Sequence, residues 1–290
     1  MVTGGTGSIG RAIVESLVPR DDVDAIRVVS RSESKQAEMR DELNCDKIRY
    51  VLGDVRDKEK MKRAFVGAHT VIHAAALKRV EVCEYNADEC CGINIDGSDT
   101  VAGAAMAQEV ERVLLIGTDK AVDPHSLMGM SKAFAERMYL AFNSWSKCTK
   151  FWAVRLGNVL HSTGSVLPTW ERQAKTGKIQ VTDPLMTRFL MSKCEVANFV
   201  SKVLEFKEPG LYAPNNCRKV MVGDLAEVFC ELQECEMEVI GVRPGEKKHE
   251  AFFTDEEGRA LGWSEAAYKS EFGPSMNKDE IREMLIEVAE

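Results

Sequence analysis

Apolar positions in the first half of the chain fall into short runs separated by longer stretches with helical spacing. Ile26-Arg27-Val28-Val29, Ile48-Arg49-Tyr50-Val51-Leu52, Thr70-Val71-Ile72-His73 and Val113-Leu114-Leu115-Ile116 read as strands. Ser8–Leu17, Ser34–Glu42, Lys58–Phe65 and Asp88–Gln108 read as the helices near and between them. A long helix over Ser126–Phe142 leads to a further strand at Phe151-Trp152-Ala153-Val154-Arg155. Strands of this apolar kind, alternating with helices, predict a parallel sheet covered on both faces. The expected fold class is therefore α/β, with a doubly wound parallel sheet. From Asn158 onward the pattern breaks up around Gly164, Pro168, Gly177, Pro184, Pro209, Gly210, Pro214, Pro244 and Gly245. This places a nucleotide-binding domain at 1–157. Residues 158–290 form mainly a smaller, loop-rich substrate-binding part, interleaved with the first and lying over the carboxyl ends of the strands. The last helix has its cap at Asn277, the reciprocal capping residue at Glu280, and a stripe of Ile281, Met284, Leu285 and Val288. Only Met1 and Val2 precede Thr3, so the first strand reads as truncated or as starting upstream, and a short interior strand is expected to weaken the sheet.

Bulk composition narrows the partners. A hydrophobic share of 44% and a charged share of 29% suit a globular protein, and 290 residues suffice for a large core. The net charge of −8 argues against nucleic acid and anionic membrane as partners. It does not exclude an anionic small ligand, which backbone amides hold locally. The nine cysteines are odd in number, without a Cys-x-x-Cys or a Cys/His cluster of zinc spacing. Free thiols in a cytoplasmic setting, and no metal, are expected. No apolar run approaches the ~18 residues of a membrane span.

The first chemical signal is the loop Thr3-Gly4-Gly5-Thr6-Gly7-Ser8-Ile9-Gly10, set between a strand and a helix. A Gly-x-x-Gly-x-x-Gly triplet alone is weak and is met in ordinary turns. At the head of an alternating α/β pattern it reads as a dinucleotide loop, with Gly4, Thr6, Gly7, Ser8, Ile9 and Gly10 at the pyrophosphate. After the second strand, Arg31 suits a ribose 2′-phosphate and favours NADP, while Glu33 keeps NAD open. Asp54 and Val55 follow the third strand, where Asp54 is placed to bond adenine; a helix cap is its other reading. Ala74, Ala75 and Ala76 after the fourth strand let the nicotinamide half approach the backbone. His73 reads as structural.

These segments together resemble the extended short-chain dehydrogenase/reductase family, with its Rossmann-type sheet. More narrowly the chain is similar to the nucleotide-sugar 4,6-dehydratases of surface polysaccharide biosynthesis, of the inverting UDP-N-acetylglucosamine 4,6-dehydratase and capsular dehydratase/5-epimerase type. The matching blocks run nearly end to end. Besides the loop they include Gly53-Asp54-Val55-Arg56-Asp57, His73-Ala74-Ala75-Ala76-Leu77-Lys78, Asn94-Ile95-x-Gly97 and Thr118-Asp119-Lys120-Ala121. Further on come Arg155-Leu156-Gly157-Asn158-Val159, Gly164-Ser165-Val166-x-Pro168, Thr182-Asp183-Pro184-x-Met186-Thr187-Arg188-Phe189 and Arg243-Pro244-Gly245-Glu246-Lys247-x-His249-Glu250. Two departures stand out. Met128 occupies the place of the usual tyrosine in Tyr-x-x-x-Lys, as in the capsular branch, and Gly117 stands where serine is usual. His161 and Thr163 also differ from the smaller or basic residues of relatives.

The resemblance implies a reaction in which hydride leaves sugar C4, a base takes the C5 proton, an acid assists loss of the C6 hydroxyl, and hydride returns to C6. Lys120 is the implied C5 base, which requires its pKa to be lowered by burial and by Lys132. Asp119 is the implied acid, although a surface Asp-Lys pair is the plainer reading. Lys132 is implied at the nicotinamide ribose. Met128 carries no proton, so Lys120, or water held by Thr118, must serve at C4. Asn158, Arg188 and Arg243 are implied at the diphosphate, Glu246 at uracil or ribose, and Lys78 at sugar or phosphate. The implied function is a homo-oligomeric, NADP-retaining dehydratase of a UDP-N-acetylhexosamine, with C5 epimerisation open. Two rivals remain: a UDP-sugar 4-epimerase, and an NADP- and UDP-sugar-binding homologue impaired in catalysis.

Overall fold

The structure is a computed structural model that describes residues 1–289, with side chains as far as residue 287; Val288 of the expected terminal stripe thus lies outside the described side chains. Its strands are β1 (Val2–Thr3), β2 (Ile26–Ser30), β3 (Ile48–Leu52), β4 (Thr70–His73), β5 (Arg112–Thr118), β6 (Lys150–Leu156), β7 (Asn158–Val159), β8 (Lys178–Val181), β9 (Thr187–Met191), β10 (Leu211–Tyr212), β11 (Arg218–Met221) and β12 (Glu236–Val239). Seven of them form one parallel sheet in the order β10-β6-β5-β4-β1-β2-β3. The order reverses between β1 and β4, which opens a crevice at the carboxyl ends of the strands. β1 is two residues long and lies between β2 and β4, with Val2 opposite both Val28 and Ile72.

Every strand and helix expected in the first half forms near its expected place. Helices Ser8–Leu17 and Lys58–Phe65 have the expected bounds. Helix Glu33–Leu43 begins behind Ser32, whose side chain accepts from the Lys35 N–H. One expected helix differs. The stretch Asp88–Gln108 is built as Ala87–Cys91, a π turn at Gly92–Asp96, and helix Gly97–Ala107. The widened turn turns the Asn94 side chain inward, where it bonds both backbone groups of Leu77 and the Ser131 hydroxyl.

The second half is interleaved with the first. Strand β10 pairs with β6 at the sheet edge. Helix Lys193–Leu204, closed by a Ser192/Glu195 capping box, buries Val196, Val200 and Val203 in the same core as Val14, Val28 and Ile116. Each such side chain contributes about 1.5–3 kcal/mol through burial. Two small sheets, β11-β9-β7 and β12-β8, carry a separate core around Trp170, Ile179, Leu225 and Phe229. The helix Lys278–Ala289 closes that core with Ile281, Met284 and Leu285, and Asn277 accepts from the Glu280 N–H at 3.0 Å as expected of the cap.

Candidate active site

Two cavities meet where the glycine loop passes over the carboxyl ends of the strands. The first, of about 580 Å³, has Gly4, Thr6 and Gly7 on one wall and Arg31, Asp54 and Val55 on another; Ala74, Ala75 and Ala76 line the floor. Gly4 has φ +67, and a Cβ there would come within 2.7 Å of the Ala75 backbone. A Cβ on Gly10 would collide with the Gly4 carbonyl. The loop is thus a cradle that only glycine leaves open, followed at once by a helix amino terminus. Both features fit a dinucleotide. Arg31 and Lys35 lie on the wall, whereas Glu33 is the first residue of its helix and is not among the wall residues. Asp54 is not the helix cap, a role taken by Asp57. Its carboxylate accepts from the Arg56 side chain at 2.8 Å and lies 3.8 Å from Arg31. Ser8 bonds the backbone and side chain of Thr163, both at 2.9 Å, clasping the loop to the second half of the chain.

The second cavity, of about 410 Å³, shares Ala74 and Ala76 with the first. Ile9, Lys78, Thr118, Lys120, Met128, Lys132, Asn158, Arg188 and Glu246 all line it. Nine expected site residues from distant segments therefore converge. Arg243 does not: it is exposed and absent from these walls, because the turn around Gly245 directs Glu246 to the cleft and leaves Arg243 in solvent.

At the centre, strand β5 ends in Thr118 and passes into a 3₁₀ turn, Asp119–Ala121. The Lys120 ammonium donates to Asp119 Oδ1 and to Asn158 Oδ1, each at 3.0 Å, and Thr118 Oγ1 donates to the same Asp119 oxygen at 2.9 Å. Asp119 is 0% exposed and so does not itself face the cleft. A proton leaving it must pass through Thr118 or Lys120, both of which line the wall. Burial raises the pKa of the Asp119 carboxyl, against Lys120 and with Glu250, as an acid requires. Lys120 differs from the expectation. Burial works to lower its pKa, but Asp119 and Glu250 outweigh burial and Arg188, and the value is raised. Lys132, which donates to the Ile116 carbonyl, does not contribute to the shift.

Lys132 donates to the Ile116 carbonyl at 2.6 Å, and burial lowers its pKa to about 8. One turn earlier Met128 is buried against Cys83 and Cys90 and turns only an apolar thioether toward the cleft. Cys83 offers no substitute base, since burial pushes its thiol up to about 12. His73 is buried between Thr3 Oγ1 at 2.6 Å and Ser98 Oγ at 3.1 Å, and burial lowers its pKa to about 3, so it is a neutral structural group. Arg188 bonds the carbonyls of Thr187, Lys247 and Lys248 and ties β9 to the segment before Glu250. Gly117 has no room for a side chain, because a Cβ would lie 2.5 Å from the Val154 carbonyl.

Two residues gained no individual role from sequence. Asn94 joins the loop bearing Lys78 to the helix bearing Met128 and Lys132. Glu250 lies 3.4 Å from the Lys120 ammonium. Both stand in the matching blocks, which is the only signal for them; their contacts span tens of residues.

Residues 1–270 match the family described as polysaccharide biosynthesis protein. An uncharacterized membrane protein of Methanocaldococcus jannaschii is 38% identical, over 100% of this chain and 95% of the relative. No helix among the described residues here is long and apolar enough to cross a membrane. A UDP-glucose 4-epimerase of Rickettsia rickettsii is 37% identical over 89% of this chain and 78% of its own length. The X-ray structure of Pen from Bacillus thuringiensis superposes with a TM-score of 0.92 at 32% identity, covering 99% of this chain and 96% of that one. The dTDP-glucose 4,6-dehydratase DesIV of Streptomyces venezuelae, solved with NAD and TYD bound, shares the fold, with a TM-score of 0.82 at 18% identity over 98% and 95% of the two chains.

Proposed function

The chain belongs to the polysaccharide biosynthesis protein family, and from that premise we propose that it is a 4,6-dehydratase of UDP-N-acetylglucosamine or a related UDP-N-acetylhexosamine, retaining NADP. The observation that carries this reading is the buried Asp119 held 3.0 Å behind a cleft-facing Lys120, at the place where the usual phenol is replaced by Met128. A bound nicotinamide supplies the transient acceptance of hydride from C4 and its return to C6.

The chain's residues do the rest. As hydride leaves C4 its hydroxyl proton passes to water held by Thr118; the ketone makes the C5 proton acidic, and the Lys120 amine takes it. The pair rests as carboxylate and ammonium; shifting one proton across the 3.0 Å contact turns it into carboxylic acid and amine, the forms that elimination needs. Asp119, through Thr118, then supplies the proton with which the C6 hydroxyl departs as water. Lys78 and Arg188 line the cleft and offer positive charge to the diphosphate; partial burial lowers the pKa of Lys78, which remains exposed. Arg31 and Lys35 beside the adenosine cavity support NADP over NAD. Reprotonation of C5 from the opposite face would add epimerisation.

A 4-epimerase is the second reading, favoured by the name of the Rickettsia relatives. That reaction needs only one proton carrier at C4, which Lys120 or water held by Thr118 would supply beside Met128, and it leaves the buried Asp119 without work. The test is incubation with UDP-N-acetylglucosamine in deuterated water, followed by NMR and mass spectrometry. Loss of one water with deuterium at C5 is expected, and Lys120→Ala should abolish both. A C4-inverted sugar with C6 intact would replace the dehydratase with the epimerase. An unchanged sugar beside bound cofactor would favour the impaired homologue.

A further inference from the structure

Glu250 is a buried carboxylate that the proposed chemistry leaves without a task. It comes from the segment after β12, far from Lys120 in sequence. Its peptide N–H is anchored on the Ser270 hydroxyl at 2.8 Å. One carboxylate oxygen lies 3.4 Å from the Lys120 ammonium and the other 3.1 Å from that of Lys247. Lys247 is itself fixed by a 2.8 Å bond to the Val122 carbonyl, just beyond the Asp119–Ala121 turn. Two carboxylates therefore compete for Lys120, and they are unequally supplied. Glu250 has two cations. Asp119 has one, together with a hydrogen bond from Thr118; Asp119 Oδ2 and Glu250 Oε2 are both buried without a hydrogen-bond partner.

We infer that Glu250 is a positioning residue, the fixed counter-ion that holds the resting Lys120 ammonium in place beside Asp119, the carboxylate to which Lys120 passes its proton before it acts as the base. This rests on the dehydratase reading and deepens it. The remaining charges around the cluster agree with the assignment. Arg188 faces Lys120 and Glu250 from β9 and favours ionised Glu250. Burial works against a Glu250 carboxylate, yet Lys120, Lys247 and Arg188 together lower its pKa. Asn158 contributes a neutral oxygen to Lys120. The Cys217 thiol near Asp119 is raised by burial and stays uncharged.

Removing the Glu250 charge leaves Asp119 as the one anion beside Lys120. Lys120 then loses its proton at lower pH, and Asp119, without a second anion beside it, ionises at lower pH as well. Two readouts test this in the full-length protein. The first is the pH dependence of Lys120 acylation by acetic anhydride, read by peptide mass spectrometry, which needs no turnover. Glu250→Gln should move its midpoint down by about one pH unit or more, the size of effect that an adjacent opposite charge has on a pKa. The second is the pH profile of dehydration, whose limbs should move to lower pH together. Glu250→Gln strands Lys247, so Glu250→Gln with Lys247→Met is the variant to use if the single one fails to fold. Glu250→Asp, which keeps the charge, should return both profiles most of the way. An unmoved acylation midpoint in a folded variant overturns the inference. A moved midpoint in a protein whose natural form never dehydrates the sugar supports the counter-ion role and overturns the reaction instead.

Discussion

At Lys120 two effects of opposite sign meet. Burial disfavours the ammonium, and two carboxylates favour it more. Burial and a second lysine alone give the wrong direction; the adjacent Asp119 raises the pKa most, and the second anion, Glu250, lies 130 positions away. Arg31 is a simpler case. At 55% side-chain exposure, beside the cofactor cavity, it is free to meet a 2′-phosphate. Arg31→Ala should weaken NADP about ten- to hundredfold and NAD little, measured by calorimetric titration of each, since one charge-assisted hydrogen bond is worth about 1.5–3 kcal/mol. His73 sets a pH dependence of stability. Its pKa is lowered to about 3 against an ordinary 6.5, so the unfolded chain binds the proton first on acidification. Its contribution is therefore present above pH 6.5 and is lost as pH falls from there toward 3. The slope is at most about 1.4 kcal/mol per pH unit. His73→Asn, which can still bond Thr3 and Ser98, should flatten that limb in urea denaturation carried out across the range.

At the scale of elements, one close constraint lies between β5 and β6. Gly117 lies opposite Arg155 in register, and a Cβ on it would press on the Val154 carbonyl. The serine that the family resemblance leads one to expect does not fit this backbone. Gly117→Ser should cost about 1–3 kcal/mol by overpacking, seen as a lower denaturation midpoint with an unchanged slope. The π turn at Gly92–Asp96 is the other element that departs from simple periodicity. Helical spacing continues through it, since one extra residue per turn barely alters an apolar stripe. Its effect is felt in what Asn94 reaches, namely Leu77 and Ser131, and so in how the Lys78 loop sits against the Met128 helix.

Across the whole molecule, the two halves are one folding unit at the sheet. Strand β10 and helix Lys193–Leu204 come from the second half and complete the first. The Trp152 indole donates to the Glu208 carbonyl at 2.7 Å across the same seam. A fragment of residues 1–157 would expose β6 and the bed of Val196, Val200 and Val203. It should melt without a cooperative transition and bind an apolar dye, where the full chain melts sharply; circular dichroism and dye fluorescence would check this. A cooperative melt of the fragment would instead make the two halves independent. The cleft is assembled across that seam, since Thr118 and Lys120 come from one half and Arg188 and Glu246 from the other.

Periodicity and glycine placement determined the α/β class and the cofactor loop, and the family resemblance pointed to most of the residues that converge on the cleft. These are local properties: a helix or strand reads its own spacing, and a loop that admits only glycine states so in three positions. The tertiary structure alone decided which groups share a charge. It put Asp119 behind the wall, gave Lys120 a second anion in Glu250, kept Arg243 in solvent and denied Gly117 a side chain. The physical reason is range. Coulombic and steric effects act over a few ångströms of space, and the partners that exert them here are up to 130 residues apart along the chain.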